Sequence, residues 1–364
     1  MRPDVIVVGG GAIGLGVAWR ATQRDLTTVV ADPSPGTGAT HAAAGMLAPI
    51  TEVHYGEVPL LGLNLESARR WPEFAAELET AAECTIGYRS EGTVAVAFDD
   101  DDVRALDALV QFQRQLDLPV ERLASRECRS LEPSLSPRVR GGALVTGDHQ
   151  VEPRALTAAL LRAGERAGVE LVRRAVTAVG PGPRVALDDG EVLESGSVVV
   201  AAGWRSAELL DIPVRPVKGQ ILRLRGDVSS LLTRTVRGLS HGVSVYLVPR
   251  ASGELVVGAT VEERGADTTV TAGAVRELLS AALDLVPGAS ELELHEASAG
   301  LRPGTPDNAP LLGRAPGEAD VWVATGHYRN GILLTPVTAD VVADLVSGVE
   351  APPVARPFDL DRFA

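Results

Sequence analysis

Val5-Ile6-Val7-Val8-Gly9-Gly10-Gly11-Ala12-Ile13-Gly14 runs four apolar residues straight into a glycine turn, and Asp32 closes the next apolar run. Val5 to Val8 reads as a buried parallel strand, Gly14 to Arg24 as the helix after it, and Thr27 to Ala31 as a second strand. Each glycine has a physical reason. Gly9 permits the tight turn, Gly11 lets backbone approach a pyrophosphate, and Gly14 lets helix and strand pack closely, while the helix N-terminus offers N–H groups to an anion. Asp32 falls where a carboxylate would hold ribose hydroxyls. Glycine turns alone are common, but strand, glycines, helix, strand and acid in this order point to a dinucleotide site. Which dinucleotide, NAD or FAD, the opening leaves undecided.

The 364 residues, 45% of them hydrophobic, suffice for a large core and for two intimately joined domains. A net charge of -14 without any basic cluster argues against a nucleic-acid partner. Cys84 and Cys128 are far apart, so neither a disulfide framework nor a CxxC site is encoded, which points to a reducing cytoplasm. The N-terminal apolar run is short, contains Asp4 and passes into the glycine turn, unlike a signal peptide. No stretch approaches the roughly 18 apolar residues of a membrane span. The histidines (His41, His54, His149, His241, His295 and His327) form no close pair of the zinc-motif kind, so no metal site is expected.

Between Gly36 and Met46 every second residue or more is small, including Ala42-Ala43-Ala44-Gly45. This suits either a tightly packed helix start or a wall against a flat cofactor. Asn64 to Glu83 has helical spacing, Thr93 to Phe98 reads as a strand, and the acids Asp99 to Asp102 suit the start of a helix. Pro153 to Ala167 is helical, and strands are expected over Glu170 to Ala178, Arg184 to Leu187, Val198 to Val200 (ending in Ala201-Ala202-Gly203), and Lys218 to Arg225. Val243 to Val248 and Glu254 to Val261 read as a hairpin whose alternation puts Tyr246 on the face opposite Val243, Val245 and Leu247. Ala272 to Val286 and Leu334 to Ser347 read as helices, with the strand Val321 to Ala324 and a glycine-containing turn before the last one. No linker divides the chain, so a second domain must be inserted rather than appended.

Polar candidates gather at Tyr246, at Arg302 in Gly300-Leu301-Arg302-Pro303, and at His327 and Arg329 in Gly326-His327-Tyr328-Arg329-Asn330-Gly331. An arginine fork suits a small carboxylate because it donates two parallel hydrogen bonds. Read singly, each arginine is better explained as a surface ion pair and Tyr246 as a half-buried strand aromatic. His327 could serve as an acid or base, but no nucleophile elbow or triad signature accompanies it. Glu52 could narrow or gate the entrance, but reads better as a solvated loop acid.

Together with the opening fingerprint, Ala42-Ala43-Ala44-Gly45-Met46-Leu47-Ala48-Pro49, Tyr246-Leu247-Val248-Pro249-Arg250, Gly258-Ala259-Thr260, Gly300 to Pro303 and Gly326 to Gly331 resemble the glycine oxidases, within the D-amino-acid and sarcosine oxidase family. The resemblance covers nearly the whole chain. It implies an α/β fold with a discontinuous Rossmann-like FAD-binding domain (1–84, 148–212 and 298–364). Into it an α+β substrate domain (85–147 and 213–297), with a mostly antiparallel sheet, would be inserted. It implies noncovalent FAD and oxidation of glycine to an imine that hydrolyses to glyoxylate and ammonia, with dioxygen reduced to hydrogen peroxide. The imine would feed the thiazole branch of thiamine biosynthesis, with thiazole synthase as a partner, and the assembly would be a homotetramer. On this pattern Ala12 and Ile13 would meet the pyrophosphate, Asp32 and Pro33 the ribose, and Ala39 and Thr40 the phosphates. Ala44, Gly45 and Met46 would lie along the isoalloxazine, Val176 at the adenine, and Ala202 and Gly203 at the second strand end. His327, Tyr328, Arg329, Asn330, Gly331, Ile332 and Leu333 would return to the flavin. Arg302 would hold the substrate carboxylate and Tyr246 orient it, with Arg329 and Met46 nearby. Ser244 and Val261 depart from the family pattern beside the pocket, which leaves sarcosine and small D-amino acids open as substrates. A flavin dehydrogenase of another small amine and a non-catalytic flavin-binding subunit are the alternatives.

Overall fold

The computed structural model describes residues 2–240, 242–318 and 320–363; His241 lies outside the described residues. Val5–Val8 sits inside a six-stranded sheet, in the order Leu311–Arg314, Val321–Thr325, Ser197–Val200, Val5–Val8, Thr28–Ala31, Glu170–Val172. All neighbours pair parallel except the edge strand Leu311–Arg314. Val5 and Val7 feed one apolar core while Ile6 and Val8 feed another. Both faces of the strand are therefore covered, which is why its sequence is a continuous apolar run rather than an alternation. The helices Ala12–Thr22, Val58–Ala82, Pro153–Arg166 and Thr335–Val346 supply the first of these cores.

The second large sheet has eight strands, in the order Glu293–Gly304, Arg215–Arg225, Glu254–Gly258, Val243–Pro249, Thr235–Ser240, Thr93–Ala97, Gly141–Val145, Glu121–Ala124. Only the Thr93–Ala97 and Thr235–Ser240 pair is parallel. One face buries Val245, Leu247, Leu255 and Val257 against the helix Ala272–Leu285. The other brings Tyr246, Val248, Val256 and Ile221 against Ala44 and Met46. The fold is thus a mixed α/β architecture. The strand Glu293–Gly304 runs through residue 298, where the sequence suggested a domain boundary.

Several local readings shift. The helix expected from Asn64 starts at Val58, with Pro59 in its first turn, where a missing N–H costs no hydrogen bond. The single stretch expected over Glu170 to Ala178 is two strands, Glu170–Val172 and Val176–Gly180, in different sheets. The strand from Glu254 stops at Gly258, short of Val261. The acid run behaves as its chemistry suggests: the Asp99 carboxylate accepts the Asp101 and Asp102 amides and caps the helix Asp100–Gln115.

Candidate active site

A cavity of about 940 Å³ runs from the glycine turn to the cavity-facing side of the eight-stranded sheet. At its first end a Cβ on Gly14 would lie 1.9 Å from the Gly9 carbonyl oxygen, so only glycine lets the helix Ala12–Thr22 dock against the strand before it. The helix starts at Gly11 with no side-chain cap, leaving first-turn amides for a ligand; the Ala12 N–H alone is met, by Thr40 Oγ1 at 3.2 Å. Asp32 is held facing the cavity by the Gly10 and Ser34 amides, which donate to its two oxygens at 2.6 and 2.7 Å. These are the properties of a pyrophosphate cradle with a ribose acceptor beside it.

The small-residue segment lines the middle of the cavity, with a short helix Ala39–Ala42 followed by Ala43 to Met46. Gly45 has φ +71°, and a Cβ there would meet the Val151 carbonyl oxygen at 2.0 Å. Arg250, fully buried in the Pro249-Arg250 pair, donates to Gln150 Oε1 at 2.8 Å, to the Val151 carbonyl at 2.9 Å and to the Ala44 carbonyl. Burial pushes its guanidinium down to about 10, so it stays charged at neutral pH. Arg154 and Arg223 both donate to the His41 carbonyl, each at 3.2 Å. The wall is therefore fixed by three arginines from distant segments.

At the far end, strand register places Arg237, Tyr246 and Gly258 side by side, and Ile221 next to Gly258. Arg302 comes from the strand Glu293–Gly304; its guanidinium lies over Gly219, where a Cβ would meet its atoms at 2.3 to 2.5 Å. It donates to the carbonyls of Thr260 at 3.1 Å and Lys218 at 3.4 Å and has no carboxylate partner among the described residues. Burial raises the Tyr246 phenol above the usual range, and the neighbouring Arg302 charge only partly offsets this, so it remains a neutral hydroxyl.

Arg329, expected beside the substrate, lines the same cavity as Arg302 and already has carboxylate partners. It pairs with Glu52, Nε to Oε2 at 3.2 Å, and with Glu57. Glu52 in turn pairs with Arg237. Glu52 is not the solvated loop acid the sequence suggests: its side chain is 13% exposed and lines the cavity. Burial would raise its carboxyl, but Arg237 and Arg329 outweigh that and hold it below the usual range. His327, read as a candidate acid or base, is buried with Nε2 3.0 Å from Thr338 Oγ1, and burial lowers it to about 3, so it is a neutral hydrogen-bonding residue.

All the cofactor candidates read from the sequence line this cavity except two. Gly14 serves by packing. Leu333 belongs to the core, its carbonyl accepting Ser67 Oγ at 2.6 Å and Trp71 Nε1 at 2.8 Å. Met46, Ser244 and Val261 also line the cavity. The sequence reading missed Arg237, His54 and Gly219; only the pairing of Arg237 with Tyr246 across strands reveals the first. Among the described residues no group of three or more His, Cys, Asp or Glu could hold a metal, and no helix is long and apolar enough to cross a membrane.

A parallel sheet with a glycine cradle opening into a long cavity is the architecture of a dinucleotide-binding protein, and one arginine at the far end of that cavity has no carboxylate partner among the described residues. The model of the FAD-dependent oxidoreductase family matches residues 4–345, and the chain belongs to that family. Its cofactor is therefore FAD, and the cradle, Asp32 and the Ala39 to Met46 wall fit it. The chain is 35% identical over 372 residues to the glycine oxidase of Geobacillus kaustophilus, covering 99% of this chain and 97% of that one. The crystal structure of the glycine oxidase from Geobacillus kaustophilus superposes with a TM-score of 0.92 at 34% identity, covering 99% and 98% of the two chains. The bifunctional protein ThiO/ThiG of Synechocystis sp. is 33% identical over 367 residues; the match covers 99% of this chain and 54% of that relative, so this chain spans about half its length.

Proposed function

We propose that this protein is an amino-acid oxidase acting on glycine, with sarcosine and small D-amino acids as related substrates. Glycine, dioxygen and water would give glyoxylate, ammonia and hydrogen peroxide. The observation that carries the reading is Arg302: among the described residues, Arg205, Arg237 and Arg329 of the cavity-lining arginines face a carboxylate and Arg302 faces none. A half-buried guanidinium without a carboxylate partner leaves its fork free to take a substrate carboxylate through two parallel hydrogen bonds.

FAD, when bound, supplies the two-electron acceptor for the bond broken at the α-carbon and the route of those electrons to dioxygen. The chain's own residues supply position. Arg302 would hold the carboxylate, and the neutral Tyr246 hydroxyl would fix its rotation, which together would fix the position of the α-carbon in the pocket. No residue is asked to take a proton from carbon, consistent with His327 being buried, neutral and engaged with Thr338. The name of the bifunctional relative supports placing the product in thiamine biosynthesis. Anaerobic addition of glycine to the purified, flavin-loaded protein tests the reading: the flavin band bleaches, and admitting air restores it with release of peroxide. A band unmoved by glycine, sarcosine or any small D-amino acid contradicts it.

A further inference from the structure

The far end of the cavity carries more positive charge than one carboxylate needs. Arg237, Arg302 and Arg329 all line it, and the one carboxylate lining the same end is Glu52. Glu52 does not sit there passively. One oxygen pairs with Arg237 and the other with Arg329, so a single side chain spans two cations that come from segments far apart in the sequence. Glu57, behind Arg329, is anchored by the Asn308 amide at 3.1 Å, and it supplies Arg329 with a second partner that does not line the cavity. Thr51 Oγ1 accepts from Arg237 at 3.3 Å, and Asp148 fixes the backbone beneath it by accepting the Ile50 and Thr51 amides, each at 3.1 Å. Glu52 is thus not the sole partner of either arginine: Arg329 also has Glu57, and Arg237 also has the Thr51 hydroxyl.

We infer that Arg237 and Arg329 form a second anion subsite beside the Arg302 seat, that Glu52 is its built-in occupant, and that Glu52 thereby restricts the enzyme to substrates bearing a single carboxylate. The inference rests on the reading of Arg302 as the carboxylate seat. The geometry is that of internal competition. A ligand anion reaching Arg237 and Arg329 must displace a carboxylate already paired with both, and it gains little because the pairing is replaced rather than added. Glu52 also repels a second negative group directly. Tyr246, whose ionisation is affected by Arg302, Glu52 and Arg237 alike, stands among the two seats. Without the Glu52 charge, a dicarboxylate with one end on Arg302 would find two arginines for the other.

Flavin-loaded protein is titrated with malonate, succinate and glutarate, and separately with acetate, following the change in the flavin absorption band. In Glu52→Gln the best dicarboxylate is expected to bind at least about tenfold more tightly than in the parent protein. Glu52→Asp, which keeps the charge, is expected to show no such gain, and adding Arg237→Met to Glu52→Gln is expected to remove it. Glu52→Ala carries the same test if the glutamine variant loses flavin. A gain below about threefold in a flavin-loaded variant, or a gain that survives Arg237→Met, overturns the inference. Acetate separates the two failures: if it does not bind the parent protein, the Arg302 seat is wrong and the inference falls with it, whereas acetate binding with no Arg237-dependent gain for any dicarboxylate leaves the Arg302 seat standing and overturns the second subsite alone.

Discussion

The two ends of the cavity are built from different materials. The phosphate end is made of backbone: glycines without room for a Cβ, helix amides, and an Asp32 carboxylate fixed by two amides. The substrate end is made of long charged side chains converging from Arg237, Arg302, Arg329 and Glu52. The comparison shows where specificity can change. The phosphate end has no room for a Cβ at Gly14, whereas the substrate end is set by side chains whose charge a substitution can change.

Substitutions of glycine at the two ends should therefore behave differently, although both add the same methyl group. Gly14→Ala puts a Cβ 1.9 Å from a backbone oxygen that cannot yield. The expected outcome is the largest of the series: purified protein essentially free of flavin, measured as the ratio of flavin to protein absorbance, with circular dichroism reporting whether the sheet survives. Gly219→Ala puts its Cβ 2.3 Å from the end of the Arg302 side chain, which can swing aside. That protein should keep its flavin and raise the glycine KM by about tenfold, a cost of about 1.4 kcal/mol. Equal loss of flavin in both variants would erase the distinction between the ends.

This contrast also explains what was legible in the sequence. The cradle is local: Gly9, Gly11, Gly14 and Asp32 lie within one β-α-β unit, and their spacing dictates their roles. The second end is not local. Glu52 meets Arg237 across 185 residues and the Arg329 side chain across 277, so nothing around Glu52 distinguishes it from an ordinary solvated acid. Arg302, Tyr246 and Arg329 stand out in the sequence as polar candidates and take their roles from family resemblance, but neither shows that Arg329 is paired with carboxylates while Arg302 has no carboxylate partner among the described residues. Leu333 illustrates the remaining limit: one residue beyond the cavity-lining Ile332 in the same turn, it belongs to the core and its carbonyl to Ser67 and Trp71. Sequence spacing does not reveal such a change of direction in an irregular turn.

The wall at Ala42 to Met46 lies between these extremes. Its small residues are evident in the sequence, and its Gly45 follows the same backbone logic as Gly14. Its position, however, depends on Arg154, Arg223 and Arg250, whose role appears only once the carbonyls of His41 and Ala44 are seen to accept from them.

The central claim is that Arg302 is the seat of the substrate carboxylate. Steady-state kinetics of Arg302→Leu with glycine, on protein shown to hold its flavin, test it most directly. The account predicts a KM raised by about two orders of magnitude or more, because the loss of a buried charge-assisted pair costs roughly 3 kcal/mol. A KM unchanged in flavin-loaded protein would contradict it.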